Sequence, residues 1–219
     1  MAKRHARLSL IFIVSIGLWA CTLHGTRTDK IAAMDIPLNT GVNDPSFLTD
    51  MEKEIIVELN TVRVDPKRYT DFLKSLVGRS QWKQGLDEAI LFIEKQEPLP
   101  PFKASKGLSL AARSLVNDGG QDGLTGHVGK DGKSMFDRMN IYGKWEGKAG
   151  EYLGYGYTEA EAVVARLAID EGAAGKKGKA YLFDRDFLVV GVSCGPHKSY
   201  RIMCAIDFAH SYKEKPDLP

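Results

Sequence analysis

Two apolar runs near the end of the chain, FLVVGVSC and CAIDFA, bracket the segment GPHKSYRIM. Val, Ile and Phe enrichment around a Gly-Pro turn signal reads as an antiparallel hairpin. A strand pair must bury one face against other elements. The first two thirds of the chain, rich in helical patterns, supply them. Helices first, strands last and no internal repeat indicate α+β rather than alternating α/β. Cys194 and Cys204 stand at the inner ends of the two runs. They are expected as disulfide partners if the strand register brings them together; two free buried thiols are the alternative.

The helical part is read from caps and periodicity. TDME is a capping box, with Thr49 as N-cap and Glu52 at the third position; behind it Ile55, Ile56, Leu59 and Val62 share one face. Pro66 opens a second short helix in DPKRYTDFLKSL, and Leu86, Ile90 and Ile93 mark a third. EPLPPF is a stiff extended connector. SKGLSLAARSLVNDGG is capped by Ser105, and MFDRMNIYG is a short helix inside a glycine-rich span. TEAEAVVARLAIDEG has Thr158 and Glu161 as another capping box, with Val163, Val164 and Leu167 facing inward and Gly172 ending it.

Residues 1–21 differ from the rest. Lys3, Arg4 and Arg7 precede a 13-residue apolar run, Leu8 to Ala20, too short to span a membrane and suited to an export signal. LWAC resembles a bacterial lipoprotein box, which makes Cys21 the lipidated N-terminus of the mature chain. Ordinary cleavage after Ala20 and a retained apolar helix are the alternatives. Polar residues 22–47, broken by Pro37, Gly41 and Pro45, read as a tether; the domain follows over 48–212 and a tail over 213–219. Without the leader, 27 basic residues face 28 acidic ones, a net charge of −1. No broad basic footprint remains for nucleic acid.

GAAGKKGKAYLF, Gly172 to Phe183, imitates a phosphate loop between a helix and a strand. Lys177 stands where the second glycine of G-x-x-x-x-G-K-[ST] belongs, and Ala180 follows Lys179 without a hydroxyl. The segment is a Gly/Lys loop of another kind.

LNTVRVDPKRY, LSLAARSLVND, TGH…DGKSMFDRM…GEY, EAVVARLAIDEG and FDRDFLVVGVSCGPH…MCAIDFA follow one another in the order of the CAP superfamily. That superfamily holds the cysteine-rich secretory proteins (SCP domains), antigen 5 and pathogenesis-related proteins. The resemblance covers residues 48–212 and is to the bacterial exported type. It implies an α-β-α sandwich whose central antiparallel sheet is covered by helices. It also implies a cleft holding two histidines and two acids, matched here by His127, Glu151 and Asp170. Gly178 falls where the second histidine belongs, so the cleft is degenerate. Lys179 then matches an arginine, Tyr181 an asparagine, and Tyr152 the asparagine beside the first acid. With His127, Glu151 and at most Asp170, and with Lys176, Lys177 and Lys179 nearby, weak divalent-metal binding or none is expected, and no other cofactor.

No G-x-S-x-G turn and no H-E-x-x-H helix is read here: GVSCG (Gly191–Gly195) lies inside the first apolar run of the hairpin rather than at a strand-to-helix turn, and no cysteine has a clear catalytic partner. Ser193 and Ser199 are assigned to the hairpin, and His197 and His210 to its surface; His5 and His24 precede the domain. The resulting expectation is a lipid-anchored, non-enzymatic binding module at the cell envelope, with a protein, lipid or envelope component as ligand. A hydrolase using His127 as base with Glu151 as orienter, and a structural envelope protein, are the other readings. The sequence leaves the oligomeric state open.

Overall fold

The computed structural model describes residues 45–78, 85–169 and 177–219. Cys21, most of the linker, Asp170, Gly172 and Lys176 lie outside the described residues. Three helices open the fold: α1 (Asp50–Val64), α2 (Pro66–Ser75) and α3 (Leu86–Ile93). The Thr49 box forms as expected. Glu52 N–H donates to the Thr49 hydroxyl, and the Glu52 carboxylate accepts from Thr49 N–H. Asp65 caps α2, with Pro66 at its first turn, where a missing N–H costs nothing. The connector then reaches β1 (Lys103–Ala104) and α4 (Lys106–Gly119), which Ser105 caps through Leu108 N–H.

After α4 come α5 (Met135–Tyr142), β2 (Gly143–Tyr155), α6 (Ala160–Ile169), α7 (Lys177–Phe183), β3 (Val189–His197) and β4 (Arg201–Glu214). The sheet order is β1-β3-β4-β2. The three long strands are antiparallel, as expected, but β1 runs parallel to β3, so the sheet is mixed. Helices cover both faces. Ile55, Leu59, Tyr69, Val163, Leu167 and Leu182 pack with Val190, Val192, Ile206 and Phe208 on one face. Leu108, Ala111, Ala112 and Leu115 of α4, with Met139 of α5, lie on the other, against Met203, Ala205 and Ala209. The fold is α+β with an α-β-α layering.

Gly191 lets α4 lie close to β3: a Cβ there would stand 2.3 Å from the backbone of Leu108 and Ser109. This closeness also protects the outer edge of β3, where β1 is too short to reach. Val192 N–H donates to the Ser109 hydroxyl, and Cys194 N–H donates to Glu52 Oε1. Side chains thus finish the ladder that an edge strand leaves open. Cys194 and Cys204 are directly opposed in the β3–β4 register, with Cα atoms 4.1 Å apart, and form the expected disulfide.

Several sequence expectations are corrected. The Gly195-Pro196 signal does not make the turn: both residues belong to β3, paired with Met203 and Ile202, and the chain reverses over Lys198–Tyr200. Arg201 supplies a positive φ of 70° there. α6 begins after Glu159, whose carbonyl accepts from Ala162 and Val163 N–H, so Glu159 rather than Thr158 stands directly before the first helical residue. Residues 177–183 are helical, not a loop. β4 continues to Glu214, beyond the run CAIDFA that marks it in the sequence, and the Glu214 carboxylate accepts from the Ser105 hydroxyl and Gly107 N–H. β2, to which the sequence reading assigned no strand, is 13 residues long.

Candidate functional site

Glu151 stands on β2 directly opposite Asp207 on β4. Asp207 lies between Ala205 and Ala209 in the α4/α5 layer, and Gly191 faces it from β3. Two carboxyls on neighbouring strands, buried together, repel each other when both are charged. Arg138 of α5 answers half of this problem: its guanidinium donates from NH2 to Glu151 Oε2 at 2.5 Å, both side chains being buried. Among the described residues, Asp207 has no cation of its own. Burial first, and the neighbouring Glu151 charge second, push its carboxyl well above the usual carboxylate range, with Arg138 opposing. A protonated Asp207 beside an Arg-paired Glu151 is the arrangement this geometry favours.

The second oxygen of Glu151 points toward the surface. Its Oε1 lies 2.8 Å from His127 Nδ1, and the two side chains are 1% and 60% exposed, respectively. The loop that carries His127, between α4 and α5, is held at four points. Gly126 N–H donates to the Tyr155 hydroxyl at 3.0 Å. Arg138 NH1 donates to the carbonyls of His127 and Lys133 at 3.0 Å each. His197 Nε2 meets the Leu124 carbonyl at 2.9 Å. On the far face of the sheet, Tyr181 of α7 stacks on Phe208 at 5.2 Å and would be struck at 2.5 Å by a Cβ on Gly150, while its hydroxyl meets the Glu151 backbone.

Of the residues singled out in the sequence, His127 and Glu151 are brought together, and Asp170 lies outside the described residues. Gly178 is inside α7, packed on α6: a Cβ there would come within 2.2 Å of the Leu167 carbonyl oxygen. A histidine at 178 has no room, whatever the family pattern. Lys179 is buried against α3, with Nζ 3.6 Å from Glu88 and 5.9 Å from the Phe92 ring centroid. Tyr152 is core rather than cleft wall. His197, expected on the surface, is buried: its Nδ1 accepts from Ser199 and Tyr200 N–H, so Nε2 is the donor to Leu124. His210 is half-buried, with Nδ1 2.8 Å from the Asp186 carbonyl. Among the described residues, no three His, Cys, Asp or Glu side chains converge as metal ligands.

Sequence reasoning missed Arg138, Asp207 and Tyr155. A signal existed for Asp207, the single acid in the apolar run MCAIDFA, because a charge in a strand buried on both faces needs a reason. No local pattern marks Arg138 or Tyr155.

No family model matches the chain, and no curated protein matches it. Two solved structures resemble it. One is an extracellular protein containing an SCP domain from Bacillus anthracis, 15% identical, with a TM-score of 0.41 over 52% of this chain and 35% of that one. The other is an outer surface protein of Borrelia burgdorferi, 15% identical, with a TM-score of 0.41 over 70% of this chain and 96% of that one. The chain therefore spans 35% of the length of the Bacillus protein. Likenesses this distant carry no argument about what the chain does.

Proposed function

We propose that this is an exported CAP-like binding module of the cell envelope, which recognises a protein, lipid or envelope component through the surface around His127. One observation carries the reading: an imidazole that is 60% exposed is fixed by a carboxylate that is 1% exposed. Ordering a surface side chain from beneath costs entropy and buries charge, and a binding or catalytic surface offsets that cost. Val128 and Leu124 of the same loop are 56% and 40% exposed, so the loop also offers apolar surface to a partner. The order of the sequence motifs and the α-β-α layering support the CAP-like assignment. Export, and lipid anchoring at Cys21, rest on the basic-then-apolar leader.

The test is capture from envelope extract by the wild-type domain and by His127→Ala, with lipids analysed beside proteins. Loss of the captured component in the variant is expected; identical capture by both sinks the reading. Mass spectrometry of the mature N-terminus should show a diacylated Cys21, and an unmodified terminus there or further on refutes the anchor. The 2.8 Å Nδ1–Oε1 contact also favours a second reading, a hydrolase with His127 as base and Glu151 as orienter. Turnover of ester, amide or lipid substrates that His127→Ala abolishes would put that reading first.

A further inference from the structure

One guanidinium holds both halves of the His127 site. Arg138 NH2 takes one oxygen of Glu151, and NH1 takes the carbonyl of His127 itself and that of Lys133 in the same loop. The carboxylate that orients the imidazole and the backbone that carries it are thus gripped by one rigid fork. Because Glu151 Oε2 is occupied by Arg138, Oε1 is the oxygen left to accept from the ring. A carboxylate can only accept, which makes Nδ1 the protonated nitrogen of a neutral His127 and Nε2 the one with the lone pair. Nε2 has no hydrogen-bond partner among the described residues.

We infer that Arg138 is the positioning residue of this site, and that through it His127 is presented as a fixed hydrogen-bond acceptor for a partner group that donates, a hydroxyl or an amide N–H. This rests on the reading of His127 as the recognition point. A carboxylate or phosphate on a ligand would bring lone pair against lone pair at Nε2, so the neutral site disfavours anions. A lysine at 138 cannot replace the fork, because a single ammonium on a flexible stem does not span Glu151 and two carbonyls in fixed directions.

The chain carries its own controls, because three described histidines are wired differently. His127 places Nδ1 on a carboxylate, His210 places it on a carbonyl, and His197 has both ring nitrogens engaged. The probe is diethyl pyrocarbonate, which acylates a lone-pair imidazole nitrogen with loss of ethyl carbonate. Site-by-site rates are read by mass spectrometry on the full chain at a pH of about 8, where ordinary imidazoles are neutral. The expected order is His127 fastest, then His210, with His197 slowest. Arg138→Lys should slow His127 roughly five- to tenfold, the worth of one orienting hydrogen bond, and leave His210 and His197 unchanged. A rise at His197 would report a variant whose fold has opened; Glu151→Gln, which keeps the shape and loses the anion, then takes over the test with the same expected slowing. Wild-type His127 reacting no faster than His210, or a folded Arg138→Lys or Glu151→Gln reacting at the wild-type rate, overturns the inference. An envelope component captured equally by wild type and His127→Ala would sink the recognition reading while leaving this reactivity order in place.

Discussion

Arg63 on α1 and Arg138 on α5 sit on opposite faces of the same sheet, both shielded from water. Among the described residues, Arg63 donates to backbone carbonyls alone: Nε to Pro100 at 2.8 Å, and NH1 to Leu182 at 2.8 Å and Asp184 at 3.4 Å. Its guanidinium lies 4.0 Å from the Phe102 ring centroid. Burial lowers its pKa to about 10, with Asp184 opposing, so it stays charged at neutral pH. Arg138 instead divides its nitrogens between backbone carbonyls and the Glu151 carboxylate. The first arginine fastens the connector and the end of α7, which have no ladder to join. The second converts the same fastening into an exposed, aimed side chain. A buried cation marks a functional site only when part of its bonding leads to the surface.

The strongest way to break this contrast is Arg63→Ala. Three carbonyls lose their donor and a large cavity opens beside Phe102, so a loss of about 3–5 kcal/mol is expected in urea unfolding. A loss below about 1 kcal/mol would show that the connector holds itself, and Arg63 would lose its assigned role.

Gly178→His tests the same face with a smaller effect. The new Cβ meets the Leu167 carbonyl oxygen, a backbone atom that cannot swing away. We expect a loss of about 2–3 kcal/mol, in the range of core overpacking, and no gain in Zn²⁺ affinity by calorimetric titration. A stable variant that binds zinc would mean that α7 is not seated on α6 as described.

How legible was all this? The Thr49–Glu52 box and the Ser105 cap were readable because capping is local chemistry within four residues. The inward faces of α1 and α6 were readable because helical period survives in any context. β2 was not: Gly143, Gly147, Gly150 and Gly154 interrupt its alternation, and its register shifts between Glu146 and Ala149. The helix at 177–183 escaped because Gly and Lys composition resembles a loop, whereas close packing on Leu167 is what asks for glycine there. For the site, His127 and Glu151 were named from the family resemblance. Arg138 and Asp207 depend on strand register and on α5 crossing the sheet, which no short motif encodes.

Asp207→Asn sharpens the comparison on the Arg138 side. The folded-state pKa of Asp207 is raised, so its contribution is fully present below the unfolded carboxylate value of about 4. It is lost as the pH climbs toward the raised value, because the unfolded chain ionises first. Over that window the folding constant falls by up to about tenfold per pH unit for this one group, or about 1.4 kcal/mol. Asparagine does not titrate. Urea unfolding from pH 5 to 8 should therefore show wild type declining relative to Asp207→Asn. Parallel curves would mean that Asp207 is ionised and paired, and that Arg138 serves both carboxyls.

Tyr155→Phe should have the smallest effect and separates fastening the loop from aiming the imidazole. The ring of Tyr155 packs edge-on against His197 at 5.4 Å and near Tyr200 at 5.3 Å, so phenylalanine keeps the apolar contacts. Only the hydroxyl is lost, and with it the acceptor of Gly126 N–H. That amide sits at an exposed position where water replaces the lost partner, so a cost of about 0.5–1 kcal/mol is expected rather than the penalty of an orphaned buried group. Hydrogen exchange at Gly126 should quicken by the matching factor of roughly two- to fivefold. The His127–Glu151 contact should persist, because Arg138 still holds the carboxylate and the His127 carbonyl. An unchanged Gly126 amide would place the hold on this loop with Arg138 and His197 alone. A loss of several kcal/mol would instead make the loop part of the core, and the distinction between the two arginines would fail on the side where it predicts an aimed surface group.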